Sequence, residues 1–267
     1  MTGTTAASRA ADLDFALSLA DLADRLSLQH FRADDLIIET KPDLTPVTEA
    51  DRAVERALRE QLAAHRPEDS ILGEEYGAQG DSSRRWILDP IDGTKNYVRG
   101  VPVWACLIAL VEDDEVTVGV VSAPALSRRW WAAKGSGAFV SDPTSPEPRR
   151  IHVSRVARLA DASFSYSDDV GWAERGASRA LDRLLHSTWR HRAYGDFWSH
   201  MMVAEGLVDV AGEPELESYD MAALIPIVEE AGGRMTAFDG RHPLEGRSAL
   251  SSNGVLHDEV LALMDPA

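Results

Sequence analysis

The stretch Trp86-Ile-Leu-Asp-Pro-Ile-Asp-Gly-Thr-Lys-Asn96 decides how the rest of the chain is read. Trp86, Ile87 and Leu88 read as the end of a short buried strand, with Asp89 at its carboxyl end. Pro90 has no N–H for a sheet ladder, so the strand is expected to stop there. Asp92 follows across a tight turn, and Gly93 and Thr94 open a new segment with unused backbone N–H groups. Such a turn aims two carboxylates at one point and sets amide donors beside them. Carboxylate oxygen is what a hard cation such as Mg²⁺ binds, and backbone amides at a segment start hold phosphate. A DP-x-DG string is also an ordinary turn, in which Asp, Pro and Gly serve the backbone alone. The flanking sequence has to decide between the two.

Downstream, Trp104-Ala-Cys-Leu-Ile-Ala-Leu-Val111 is a near-continuous apolar run, as expected of a strand covered on both faces. Glu112-Asp-Asp-Glu115 makes a solvated turn and 116–122 returns as a second strand, with further strands at 129–133 and 137–140. Trp130 and Trp131 then face opposite sides, one in the core and one partly exposed. Upstream, 70–73 is a short strand running into Glu74 and Glu75, and 77–85 reads as a polar loop. A helix starts near Thr48, with apolar positions at Ala50, Val54, Ala57, Leu58 and Leu62. Thr48 and Asp51 have the spacing of a capping box, which by itself accounts for Asp51. An earlier helix carries Leu13, Ala16, Leu17, Ala20, Ala23 and Leu26 on one face and ends near His30; residues 1–10 read as a frayed tail.

Residues 141–150 carry three prolines and no apolar period. They are expected to join an α+β N-terminal half to an α/β C-terminal half, about 10–145 and 150–267, within one domain spanning 1–267. Strands are expected at 151–153, 162–166, 189–194 and 207–211, and helices after Trp172, from Phe197, from Ser218 to Gly232, and over 255–263. Asp196 is placed to cap the Phe197 helix, and Asp220 lies in the first turn of its own helix, where an acid suits the dipole.

Composition narrows the function classes. The 267 residues are 44% hydrophobic, enough for a sizeable core, and the formal net charge is -17. Nucleic-acid binding needs clustered Lys and Arg and is excluded on that ground. No stretch is apolar for long enough to span a membrane. Cys106 is the one cysteine, so no intrachain disulfide forms; it reads as a buried inert thiol in a reducing, cytoplasmic setting. There is no H-E-x-x-H, G-x-S-x-G or Walker sequence to support another hydrolase chemistry.

The eleven residues 86–96 resemble the signature of the inositol monophosphatase-like family of metal-dependent phosphatases. Three other segments match that family in order. Lys41-Pro-Asp-Leu-Thr-Pro-Val-Thr-Glu-Ala-Asp51 resembles its K-x-D-x-S/T-P-V-T-x-A-D segment, Ile71-Leu-Gly-Glu-Glu75 its G-E-E motif, and Tyr219-Asp-Met-Ala-Ala223 with Glu230-Ala-Gly-Gly233 its C-terminal W-D-x-A-A and E-A-G-G. The resemblance runs from about residue 10 to 264 and implies a layered α/β/α/β/α fold. It implies that Glu74, Asp89, Asp92, Asp220 and the Ile91 carbonyl ligate two Mg²⁺ ions, with Asp89 bridging them; Glu75, next to Glu74, is a further candidate. It further implies that Asp51 and Thr94 orient the attacking water, that the Gly93 and Thr94 amides hold the phosphate, and that Lys41 lies in a loop near the site. A metal pair of this kind clamps the attacking and leaving oxygens of a phosphate monoester, whose double charge demands neutralisation and positioning more than covalent help.

Within the family, DGTKNYVRGVPVWACLIAL and AYGDFWSHMMVAEGLVD look closest to the bacterial phosphatases acting on histidinol phosphate. Asp196 and Glu213 fall where family members contact the substrate beyond its phosphate, and an acid at Asp196 suits an ammonium or imidazolium. The same resemblance leaves inositol phosphate, fructose bisphosphate or a nucleotide phosphate as alternative substrates, and implies a homodimer. A metal-binding regulatory protein without catalysis is the alternative of another class, and the complete acid set with Thr94 speaks against it.

Overall fold

The computed structural model describes residues 6–33, 38–40 and 46–264. In chain order, the first part forms α1 (Ala6–His30), β1 (Ile38–Thr40), β2 (Pro46–Thr48), α2 (Glu49–His65), β3 (Ser70–Gly73), β4 (Gly77–Gln79), β5 (Arg84–Asp92) and α3 (Thr94–Val98). There follow β6 (Ala105–Glu112), β7 (Glu115–Ala123), β8 (Arg128–Ala133), β9 (Gly137–Ser141) and β10 (Arg149–Arg150). The remainder forms β11 (Ser163–Tyr166), α4 (Asp169–Glu174), α5 (Ser178–Ser187), β12 (Arg190–Arg192), α6 (Asp196–Ala204), β13 (Val210–Glu213), α7 (Ser218–Met221), α8 (Leu224–Glu230), β14 (Arg234–Thr236), β15 (Ala249–Ser252) and α9 (His257–Ala262).

Strand β6 sets the layering. Its alternate residues both need cover, because the run is apolar throughout. Cys106, Ile108 and Leu110 face α1 and α2, meeting Leu19, Ala23, Leu58 and Leu62. Leu107, Ala109 and Val111 face the other way, onto Met201 of α6 and Leu224, Ile227 and Val228 of α8. This sheet has eight strands in the order β10-β9-β8-β7-β6-β5-β3-β4, antiparallel except for β3 beside β5. A second sheet, β12-β11-β13-β15-β14, lies beyond α6 and α8. Its outer face is covered by Trp172 of α4, Leu181 and Leu184 of α5 and Val260 of α9, over Phe164, Val210 and Leu250. The order of layers is α/β/α/β/α, as the resemblance implies.

The close seat of α8 on β7 depends on Gly119. A Cβ there would overlap the Ala223 carbonyl and lie 2.7 Å from Pro226 Cγ. Gly119→Ala is therefore expected to destabilise the fold by about 1–3 kcal/mol through overpacking. The midpoint of urea unfolding would register it.

Several local expectations need correction. Helix α1 begins at Ala6, so the second half of the supposed tail is helical. The polar 77–85 segment is not a loop throughout: β4 pairs back on β3, and β5 begins at Arg84. Strand β5 also does not end at Pro90. Between the pairs Asp89↔Leu107 and Asp92↔Ala105 it holds one more residue than β6, a bulge that accommodates Pro90 without spending a ladder bond. Residues 151–153 form no strand, because Ile151 N–H donates to the Ala138 carbonyl and Val153 N–H to the Ala231 carbonyl, two unrelated partners. The helix after Trp172 is two helices, divided at Gly176 with φ +69°. Strand β12 covers only 190–192 of the expected 189–194, and β13 starts at Val210 rather than 207. The helix from Ser218 is likewise broken into α7 and α8. Strands β14 and β15, and β10 inside the expected 141–150 loop, carry no clear alternation that would mark them in the sequence.

Candidate active site

The bulge in β5 builds the centre of the site. The Ile91 N–H donates to Asp89 Oδ1 at 3.0 Å, turning that carboxylate back over Pro90. Asp92 accepts a 2.9 Å hydrogen bond on Oδ2 from the Phe197 N–H, at the start of α6. Gly93 follows with φ +83°, a conformation that disfavours any side chain. A Cβ on it would stand 3.1 Å from the Val103 carbonyl and 3.4 Å from Asp196 Oδ2, so the turn is tight as well as left-handed.

Asp220 comes from the other half of the chain. Its Oδ2 accepts from the Glu217 N–H at 2.7 Å, in a reciprocal capping box on α7. Asp89, Asp92 and Asp220 each offer a carboxylate oxygen, and these atoms lie within 4.8 Å of one another. Glu74 lines the same cavity, and its charge acts on all three. Burial first, and then mutual repulsion, holds the Asp89 and Asp92 carboxyls well above the ordinary carboxylate range. Asp220 is pushed up to about 7, mainly by burial. Like charges are gathered here at a cost that a divalent cation removes, so the donor set fits a hard metal ion.

Asp51 and Thr94 meet beside this cluster. The capping box expected at the start of α2 is present: Thr48 donates from N (2.8 Å) and Oγ1 (2.6 Å) to Asp51 Oδ2. That leaves Oδ1 facing Thr94, whose hydroxyl is 3.5 Å away and also donates to the Ile91 carbonyl at 3.0 Å. Burial raises the Asp51 carboxyl to about 6, outweighing the Thr48 hydrogen bonds that lower it. Lys41 lies outside the described residues.

The cavity extends well past the cluster, with a volume of about 990 Å³. Nine of its lining residues are acids and two are basic, so an anionic substrate would be repelled unless cations intervene. Asp196 and Glu213 both line it. Asp196 is the first residue of α6 rather than its cap, which is Gly195. It sits at φ +50°, with Oδ2 accepting from Asn96 Nδ2 at 3.2 Å. Burial lifts its carboxyl to about 6, with Lys95 pulling it down and Asp168 pushing it up. Glu213 ends β13, 4% exposed. Its Oε1 is buried without a hydrogen-bond partner, and its carboxyl is held well above the usual range by burial and then by Asp196, Asp168 and Asp220, against a hydrogen bond from Ser167.

Of the sequence-assigned residues among those described, Glu74, Asp92, Gly93, Thr94, Asp196, Glu213 and Asp220 line one cavity, while Asp89 stands beside Asp92 and Asp220, and Asp51 and the Ile91 carbonyl beside Thr94. Sequence reasoning missed four contributors: the Phe197 amide, Asn96, Lys95 and Ser167. Asn96 and Lys95 stand inside the eleven-residue signature, but nothing in their spacing links them to Asp196, a hundred residues later.

The chain as a whole is similar to known phosphatases. Residues 10–266 match the model of the inositol monophosphatase family. A histidinol-phosphatase from Mycobacterium tuberculosis is 56% identical over 95% of this chain and 98% of its own. A fructose-1,6-bisphosphatase/inositol-1-monophosphatase from Thermotoga maritima is 35% identical over 95% of each. Among solved structures, a Thermotoga maritima IMPase superposes with a TM-score of 0.83 at 34% identity, over 95% of this chain and 96% of that one.

Proposed function

The chain belongs to the inositol monophosphatase family of metal-dependent phosphatases, and we propose that it hydrolyses L-histidinol phosphate with Mg²⁺ held by Glu74, Asp89, Asp92, Asp220 and the Ile91 carbonyl. The observation that carries the substrate is the acidic wall beyond the cluster. Asp196 and Glu213 face the same cavity as the metal-ligating acids, which suits a substrate with an anionic head and a cationic tail. The high identity to the mycobacterial histidinol-phosphatase supports the same reading.

Bound Mg²⁺ would neutralise the phosphate and acidify water beside it. The chain does the rest. Thr94 Oγ1 accepts a hydrogen bond from the attacking water as its own proton leans toward Asp51 Oδ1. Asp51, raised to about 6, is poised to take that proton near neutral pH, and the Thr48 bonds keep its other oxygen from turning away. The Gly93 and Thr94 amides hold the phosphate at the turn. The single Thr94 proton, directed to the Ile91 carbonyl at 3.0 Å in the structure, turns to Asp51 for the water's attack, which leaves that carbonyl free to ligate a cation. Asp196 and Glu213 receive the ammonium or imidazolium of the tail.

A cytoplasmic homodimer completes the reading. The buried lone Cys106 fits a reducing compartment, and no helix among the described residues is long and apolar enough to cross a membrane. Inositol phosphate or fructose bisphosphate is the second reading, favoured by the Thermotoga relative.

Phosphate release in Mg²⁺ from L-histidinol phosphate, inositol 1-phosphate and fructose 1,6-bisphosphate separates these readings. A kcat/KM at least about 100-fold higher for histidinol phosphate is expected, the value of roughly 2.7 kcal/mol of selective contact to the tail. Preference for inositol phosphate would reassign Asp196 and Glu213.

A further inference from the structure

We infer that Glu55 of α2 is the positioning residue for Glu74, fixing the loop that carries it against the metal-ligating acids. This rests on the reading of Glu74 as a metal ligand.

Strands β3 and β4 form a hairpin paired Gly73↔Gly77, with Glu74, Glu75 and Tyr76 as its loop. A three-residue tip is mobile unless its amides are tied, and here each has a partner. Glu74 N–H donates to the Leu88 carbonyl at 3.2 Å, next to Asp89. Glu75 N–H donates to Glu55 Oε2 at 2.7 Å, and Tyr76 N–H to Glu55 Oε1 at 3.2 Å. Two of the three loop amides therefore end on one carboxylate, which is fully buried. Arg59 clamps the assembly from outside: its Nε donates to Glu55 Oε1 at 2.7 Å, and its Nη2 to the Gly77 carbonyl.

The fit also explains Gly73. Its φ is not in the left-handed region, yet a Cβ there would overlap the Glu55 carboxylate. The glycine before Glu74 is thus required by Glu55 rather than by the turn. Glu55 stands one helical turn after Asp51, on the same face of α2. One helix then holds the residue that faces Thr94 and the brace for the hairpin tip. A ligand on a loop keeps its geometry only when the groups behind it are locked, and loss of such a partner typically costs about 10–100-fold in metal affinity.

Direct Mn²⁺ binding, read by electron paramagnetic resonance on the full chain, tests this without relying on turnover. Glu55→Gln keeps the volume but turns an amino group toward at least one donor. It is expected to weaken Mn²⁺ binding about 10–100-fold, and to raise the Mg²⁺ concentration for half-maximal activity while kcat at saturating Mg²⁺ recovers. Glu55→Gln combined with Glu74→Gln should bind no more weakly than Glu74→Gln alone, because both remove the same ligand. Wild-type affinity in Glu55→Gln, or losses that multiply in the double variant, overturns the role of Glu55. If Glu55→Gln does not fold, Arg59→Met loosens the same carboxylate from the surface and should cost about 3–10-fold in Mn²⁺ affinity; no loss there overturns it equally. Wild-type affinity in Glu74→Gln would instead remove Glu74 as a ligand, and the inference with it.

Discussion

Asp92→Asn is expected to lower kcat by at least about a thousandfold, roughly 4 kcal/mol of transition-state stabilisation, while the folded chain persists. The substitution is a clean one. Asp92 accepts from the Phe197 amide through one oxygen, and asparagine keeps an oxygen for that bond. What it loses is the negative charge shared with Asp89 and Asp220. Steady-state phosphate release together with a circular dichroism spectrum checks both halves. Turnover within about tenfold of wild type would remove Asp92 from the metal centre.

Neutralising Asp196 is expected to cost at least about 30-fold in kcat/KM on histidinol phosphate, and less than about threefold on an ester with an uncharged tail. The loss should fall mainly in KM, since the group acts on the tail and not on the phosphate. Asp196→Asn is preferable to Asp196→Ala here. The residue sits at φ +50°, which asparagine tolerates and alanine does not, and Asn keeps an oxygen for Asn96. The Asp196 carboxyl is raised to about 6, so it loses its charge as pH falls through that value. Preference for the cationic tail should fade below about pH 6 in the wild type and be flat in Asp196→Asn. Equal losses on both esters would make Asp196 a structural residue of α6.

The sequence exposed more of the site than of the fold around it. Asp51 shows why. Its spacing from Thr48 reads as a helix cap, and only the resemblance adds a role at the site; in the structure one oxygen caps and the other faces Thr94. Asp220 repeats the pattern on α7. In each case the backbone bond engages one carboxylate oxygen and fixes the other, so the cap does not exclude the role proposed for it. The five layers were legible through the resemblance, while periodicity by itself showed only a strand covered on both faces at β6 and the apolar stripe of α2. Pro90 misled because a proline ends a regular strand but sits comfortably in a bulge, and a bulge leaves no mark in the alternation. Glu55 was invisible for a different reason. A glutamate at a helical position reads as a solvated face, and only the hairpin folded over it shows that its carboxylate is buried.

The fold brings Asp89, Asp92 and Asp220 together, and a bound cation would relieve their repulsion. The measurement that tests this relief most directly is the melting temperature of chelated protein at about pH 5.5 and about pH 8, each with and without Mg²⁺. All three carboxyls are raised above their ordinary value of 3.8, Asp220 to about 7. Between the unfolded and folded values the folded chain binds more protons, so metal-free stability is greater at low pH and falls as pH rises through that window. Mg²⁺ binds the deprotonated fold, so its stabilisation should be large at about pH 8 and small at about pH 5.5. Asp92→Asn should flatten both responses, which separates the cluster from the general repulsion of a chain with net charge -17. A chelated wild type whose pH response equals that of Asp92→Asn, and which gains nothing from Mg²⁺ at either pH, would contradict the metal centre outright.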